Sequence, residues 1–148
     1  MSEHSDLDAH HLAFAKRANG RCWELLERTD RTPNDDRELL EAAFASAWHW
    51  RHVGTPLNEQ RAEWLLARVY AVLGDAIGAQ HHAERCWALT EELGLVDFDR
   101  AYAIEARYRA CLVTGDEARA AELRSAALAA VEGIANDEDR AIFLSDLG

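Results

Sequence analysis

Two prolines, three cysteines and a single lysine, Lys16, are all that 148 residues contain of these types. Each shortage closes off a class of protein. Cys22, Cys86 and Cys111 are odd in number, far apart and never in a CxxC, so they supply neither a disulfide framework nor a zinc knuckle. Free cysteines acting as small apolar groups are expected. No run of eighteen apolar residues occurs, so no membrane span is expected. The opening MSEHSDLDAHH is polar and acidic and lacks the basic start and apolar stretch of a signal peptide, so a cytoplasmic location is expected. Nowhere does the β-branched alternation of a strand appear. Positive charge is also short. The net charge of −11 argues against a phosphate backbone or an anionic membrane as partner, because both need a positive footprint.

What is present is helical punctuation. Thr32-Pro33 and Thr55-Pro56 each pair an N-cap with a proline at the first helical position. Gly54, Gly74, Gly94, Gly115 and Gly133 mark stops, and Gly74-Asp75 and Gly115-Asp116 join a C-terminal glycine to a capping aspartate. These marks predict helices over 6–28, 33–53, 56–73, 76–93, 98–114, 117–132 and 138–147. Asn19-Gly20 could break the first, but Leu7, His11, Phe14, Ala18, Cys22 and Leu25 keep a helical period across it, so one long helix is favoured. Short connections make consecutive helices antiparallel. LGD at 73–75 returns as TGD at 114–116, and Ala79 and Cys86 match Ala120 and Ala127 at the same shift of about 41 positions. The expected fold is one all-α domain over 1–148: a right-handed stack of about three antiparallel helical hairpins plus a short C-terminal helix.

In the second helix, WHWRH at 48–52 puts Trp48 and Trp50 on nearly opposite sides at 100° per residue. Leu39, Ala43, Ala47, Trp50 and Val53 form one stripe and Phe44, Ala45 and Trp48 another. A layered array would cover both stripes, so both tryptophans are expected to be buried.

Residues 62–86, AEWLLARVYAVLGDAIGAQHHAERC, resemble the tetratricopeptide-repeat family. Leu66, Ala67 and Tyr70 stand where that family has its leucine, small residue and tyrosine, and Ala79 where it has the small residue of the second helix. Glu63 replaces the usual aromatic, Ala83 a bulky ring, and Glu91 the closing proline. The hairpin at 98–132 keeps Ala120 and Ala127, and that at 6–53 matches by shape. The span 44–116 also resembles a group of uncharacterised bacterial repeat proteins, which brings no activity with it. The resemblance implies that the first helix of each hairpin lines a concave groove.

Three kinds of site suggest themselves. For metal, His49 and His52 are spaced i,i+3 and His82 and Cys86 i,i+4, which puts each pair on one helix face. HExxH and the carboxylate–histidine motif of di-iron bundles are missing, and structural histidines with no bound metal or cofactor are the expectation. For nucleophilic catalysis, no GxSxG or glycine-rich phosphate loop occurs. For binding, Arg61, Trp64 and Arg68 fall within about 60° on the side of the third helix away from its core stripe of Ala62, Leu65, Leu66, Val69 and Leu73. The same register in the next hairpin offers Tyr102, Glu105 and Arg109, with Phe98. A tryptophan between two arginines suits a protein or peptide carrying a carboxylate beside an apolar group. The competing arrangement packs Trp64 on the preceding hairpin and pairs the arginines with nearby carboxylates. The expected activity is thus non-catalytic binding or scaffolding. The alternatives are a small-molecule or metal-dependent enzyme in a helical array, and a homo-oligomer using the groove as its self-contact.

Overall fold

A computed structural model describes residues 3–148; Met1 and Ser2, which open the acidic N-terminal stretch, lie outside the described residues. The chain is all-helical: α1 (Glu3–Leu26), α2 (Pro33–Val53), α3 (Pro56–Val72), α4 (Ala76–Glu92), α5 (Asp97–Thr114), α6 (Glu117–Ala130) and α7 (Asp137–Leu147), with a 3-10 turn at Val131–Gly133 and no strand among the described residues. α1 runs unbroken through Asn19-Gly20.

The starts follow from local hydrogen bonding. At α2, Thr32 Oγ1 accepts from the Asp35 N–H at 3.1 Å while Asp35 Oδ2 accepts from the Thr32 N–H at 3.0 Å, a reciprocal cap. Asp75 and Asp116 cap α4 and α6 in one direction only, accepting from the N–H of Gly78 and Arg119 at 2.9 and 3.1 Å. The preceding Gly74 and Gly115 have φ of 77° and 81°, the left-handed turn a glycine adopts without penalty. α5 starts differently. Asp97 itself has φ 59°, and its carboxylate accepts from the N–H of Phe98 and of Ala135, tying the helix start to the loop before α7.

Side-chain contacts set the helix directions. Ser46 donates to the carbonyl of Ala15, Arg21 pairs with Glu38, and His11 meets His49, so α1 and α2 are antiparallel. Gln60–Thr90 and Glu63–His82 run α4 against α3, and Arg100–Glu91 and Arg107–Glu84 run α5 against α4. By contrast, Arg61 meets Asp99 and Trp64 meets Glu105, 38 and 41 residues on, so α3 and α5 lie side by side and parallel. α4 packs on both α3 and α5, and α7 closes the end of the array against α5 and α6. The apolar interior forms three patches, and Trp64 packs against each of them.

Two expectations fail around the first hairpin. Trp48 is 52% exposed and Phe44 42%, so the second stripe of α2 is open while Leu39, Ala43 and Ala47 are buried and Trp50 half-buried. The physical cause is that α4 packs mainly on α3 and α5, so this stripe is met only at its edges, by His82 and Tyr70 against Phe44 and by His11 against Trp48. In α1 the buried line is His11, Ala15, Cys22 and Leu25, and Phe14 and Leu7, which share its helical period in the sequence, stay half-exposed.

The departures from the repeat pattern also find their partners. Glu63 is buried and accepts from His82 Nδ1 at 2.6 Å and from Arg85 Nε at 3.1 Å, replacing ring packing by an ion pair with α4. The Tyr70 ring lies over Gly78, where a Cβ would collide with it, and stacks on His82 at 5.4 Å.

Candidate functional site

α1, α3, α5 and α7 together line a cavity of about 480 Å³. Trp23, Trp64, Phe98 and Tyr102 supply its rings, Leu65 and Ile142 its aliphatic wall, and Asn19, Gln60, Arg61, Asp99 and Asp146 its polar edge. The rings form a chain of contacts. Trp23 stacks on Trp64 at 5.9 Å, the edge of Trp64 meets Tyr102 at 5.4 Å, and Phe98 leans on Tyr102 at 4.6 Å.

The polar groups are largely committed to one another. Arg61, with a side chain 55% exposed, places Nε and Nη2 on Asp99 at 2.9 and 3.1 Å. Gln60 is buried and donates to Thr90 Oγ1 at 2.9 Å. Behind the rings, Glu105 is fully buried; it accepts from Trp64 Nε1 at 3.2 Å and from Arg109 Nε. Arg109 also donates to the Asp146 carbonyl at 2.6 Å. Burial and the neighbouring Arg68 lower the Arg109 pKa from its ordinary value. The Tyr102 hydroxyl donates to Asp146 Oδ2 at 2.6 Å, and burial together with that bond raises the phenol pKa well above its ordinary value.

The seven residues read from the sequence therefore separate into two sets. Arg61, Trp64, Phe98 and Tyr102 line the cavity. Glu105, Arg109 and Arg68 form a buried polar cluster behind it. The two guanidinium groups expected to share a ligand do not converge. Arg61 is held by Asp99, which the parallel run of α5 brings alongside it. Arg68 sits about 6 Å over Trp23 and Trp64, with Nη1 3.9 Å from Glu105, and its Nε and Nη1 are buried without an acceptor. The stack of Trp64 on Trp23 of the preceding hairpin, with Arg61 paired to Asp99, matches part of the second arrangement the sequence left open, while Arg68 makes no hydrogen-bonded pair and stands 3.9 Å from Glu105.

The sequence reading missed Trp23, Asn19, Gln60, Asp99, Ile142 and Asp146. A signal for most of them was there. Positions 23, 64, 105 and 146 are successive steps of the 41-residue spacing that joins Trp64 to Glu105, and 19, 60, 101 and 142 are another such series. Positions 19, 23, 60, 64, 142 and 146 of α1, α3 and α7 line the cavity, while Ala101 and Glu105 of α5 are buried behind it.

The metal candidates lie on the other side, around a second cleft of about 490 Å³ between α2 and α4. Their Nδ1 atoms are engaged within the protein. His49 Nδ1 is 2.9 Å from His11 Nδ1, His52 Nδ1 is 2.9 Å from the Trp48 carbonyl, and His82 is bound to Glu63. Burial pushes the thiol of Cys86, like that of Cys22, up to about 12, far from a reactive thiolate. Among the described residues no three His, Cys, Asp or Glu side chains converge as a metal site would require.

One consequence is measurable. His11 is stacked on His52 at 4.2 Å and bonded to His49, and burial with these two imidazoles lowers its pKa below the ordinary 6.5, against a small opposing pull from Asp8. The folded state therefore binds this proton less readily than the unfolded chain. The stabilisation is complete above 6.5 and is lost as the pH falls through the folded value. The urea midpoint is expected to drop between pH 8 and pH 5, and to drop less in His11→Phe, which keeps a ring but cannot titrate. Equal pH profiles for the two proteins would show that the cluster contributes nothing.

No protein-family model matches the chain, and neither a curated protein nor a solved structure shows a significant likeness to it.

Proposed function

We propose that the chain is a non-catalytic protein- or peptide-binding module, built as a right-handed tetratricopeptide-like stack and using the cavity along α1, α3, α5 and α7 as its groove. The observation that carries this reading is the cavity lining. Three helices contribute four aromatic rings to one concave surface, while the polar groups around them are paired with each other and present no base, nucleophile or ligand cluster. Rigid aromatic side chains anchor a partner at low entropic expense, which is why they dominate binding hot spots. Three internal features support the stacked architecture: the parallel run of α3 and α5, the common 41-residue spacing, and the matching Asp75 and Asp116 caps.

The same geometry changes the expected ligand. With Arg61 neutralised by Asp99, the groove favours an apolar or aromatic side chain of the partner over its carboxylate. The test is selection of binders from a displayed random-peptide library on the native chain, followed by affinity measurement on Phe98→Ala and Trp23→Ala. Each variant should bind the selected peptides at least about tenfold more weakly, the usual size of a hot-spot loss. Circular dichroism should show the native helix content in both. Peptides that hold both variants at full affinity would place the site on another face.

A further inference from the structure

We propose that the cleft between α2 and α4 is a second binding site, one that takes an acidic protein segment bearing apolar side chains. The cleft is independent of the groove, since it opens on Phe44, Trp48, Arg51, His81 and Arg85, none of which lines the other cavity. Its apolar part is already exposed. Phe44 and Trp48 show 42% and 52% of their surface to solvent, although Phe44 meets Tyr70 and His82 edge-on and Trp48 meets His11. Single exposed apolar residues are ordinary, but two aromatic rings lining one cleft together with two arginines have the composition of an interface centre.

The charge around those rings has one sign. Among the lining residues Glu63 is the single carboxylate, and it is buried at the floor, where His82 Nδ1 and Arg85 Nε occupy it. Arg85 keeps a side chain 47% exposed while its Nε meets the buried Glu63. Arg51 is exposed and makes no ion pair among the described residues. His49 and His81 add imidazole nitrogens to the same rim. In a chain of net charge −11, several arginines are matched by an exposed carboxylate, as Arg21 is by Glu38 and Arg107 by Glu84. Here the exposed forks lack one. Arginine forks and aromatic rings in one cleft complement a segment that alternates carboxylates with apolar side chains. The negative field of the remaining surface repels extended polyanions, so a short acidic segment fits better than a nucleic acid.

The experiment is fluorescence anisotropy with a labelled peptide carrying Leu and Glu at helical spacing, and a control peptide with Gln for every Glu. The native chain should bind the Glu peptide, weaken with rising salt, and prefer it to the Gln peptide. Arg51→Glu should weaken binding by about tenfold or more, as reversal of a contacting charge does. Trp48→Ala should weaken it also, whereas Phe98→Ala in the groove should leave it unchanged. Arg51 is exposed and makes no side-chain hydrogen bond or ion pair among the described residues, so its variant should stay folded, and circular dichroism checks this. Equal binding of the two peptides, unchanged affinity in Arg51→Glu, or no binding of the Glu peptide at low salt would overturn the proposal. Loss in Phe98→Ala alone would overturn it too, by assigning the peptide to the groove.

Discussion

Glu105→Ala is expected to be less stable than the native chain by about 3–5 kcal/mol, the range measured when one member of a buried ion pair is removed. Glu105 is fully buried on α5, at the point where α3, α5 and α7 meet. Its two oxygens serve Trp64 Nε1 and Arg109 Nε, and Arg68 stands 3.9 Å away. Removing the carboxylate leaves the Trp64 indole N–H and Arg109 Nε without an acceptor and takes the nearest negative charge from Arg68, two of whose nitrogens already lack an acceptor. Arg68 and Arg109 keep 19% and 25% of their side-chain surface, so water screens part of the loss and the lower end of the range is the better expectation. Urea unfolding followed by circular dichroism measures it. The double variant Glu105→Leu with Arg109→Met removes a charge of each sign and should recover part of the stability, because the desolvated pair vanishes together. A loss below about 1 kcal/mol in Glu105→Ala would mean that the cluster is effectively solvated.

The sequence made the helices legible because each boundary is a local event. Thr32, Asp75 and Asp116, with Gly74 and Gly115 before the two aspartates, act on their own backbone neighbours, so six of the seven helix starts were placed within a residue. What covers each helix face depends on residues far along the chain. Periodicity put Trp48 and Phe44 on a second face of α2, and only the choice of α4 to pack on α3 and α5 leaves that face open. The groove was half legible for the same reason. Arg61, Trp64, Phe98 and Tyr102 were found by extending one helix face into the next hairpin. Asp99 as the partner of Arg61, and Arg68 as a group buried behind the rings, depend on how α5 lies against α3. Trp23 and Asp146 could have been reached by stepping 41 residues back from Trp64 and on from Glu105.

Phe143→Ala carries the second large effect, and it joins stability to the groove. Phe143 has no exposed surface, and with Leu147 it is the buried side of α7. Its ring meets Tyr102 edge-to-face at 4.9 Å. Truncation should cost about 3–5 kcal/mol, as for other buried rings, with the upper part reached if the cavity does not collapse. An eleven-residue helix is marginal without packing, so the expected result is release of α7 before the remaining helices unfold. Hydrogen exchange would then show protection lost at 137–147 and kept in α3 and α5. Release also removes Ile142 and Asp146 from the cavity wall. Tyr102 would lose both the burial and the Asp146 bond that raise its pKa, so its ultraviolet titration should move back toward the ordinary value of 10.0. Peptides selected on the groove should bind the variant more weakly even where it remains folded. If α7 keeps its protection and the Tyr102 titration does not move, the helix is held by its loop and by the Arg109 bond to the Asp146 carbonyl instead of by Phe143.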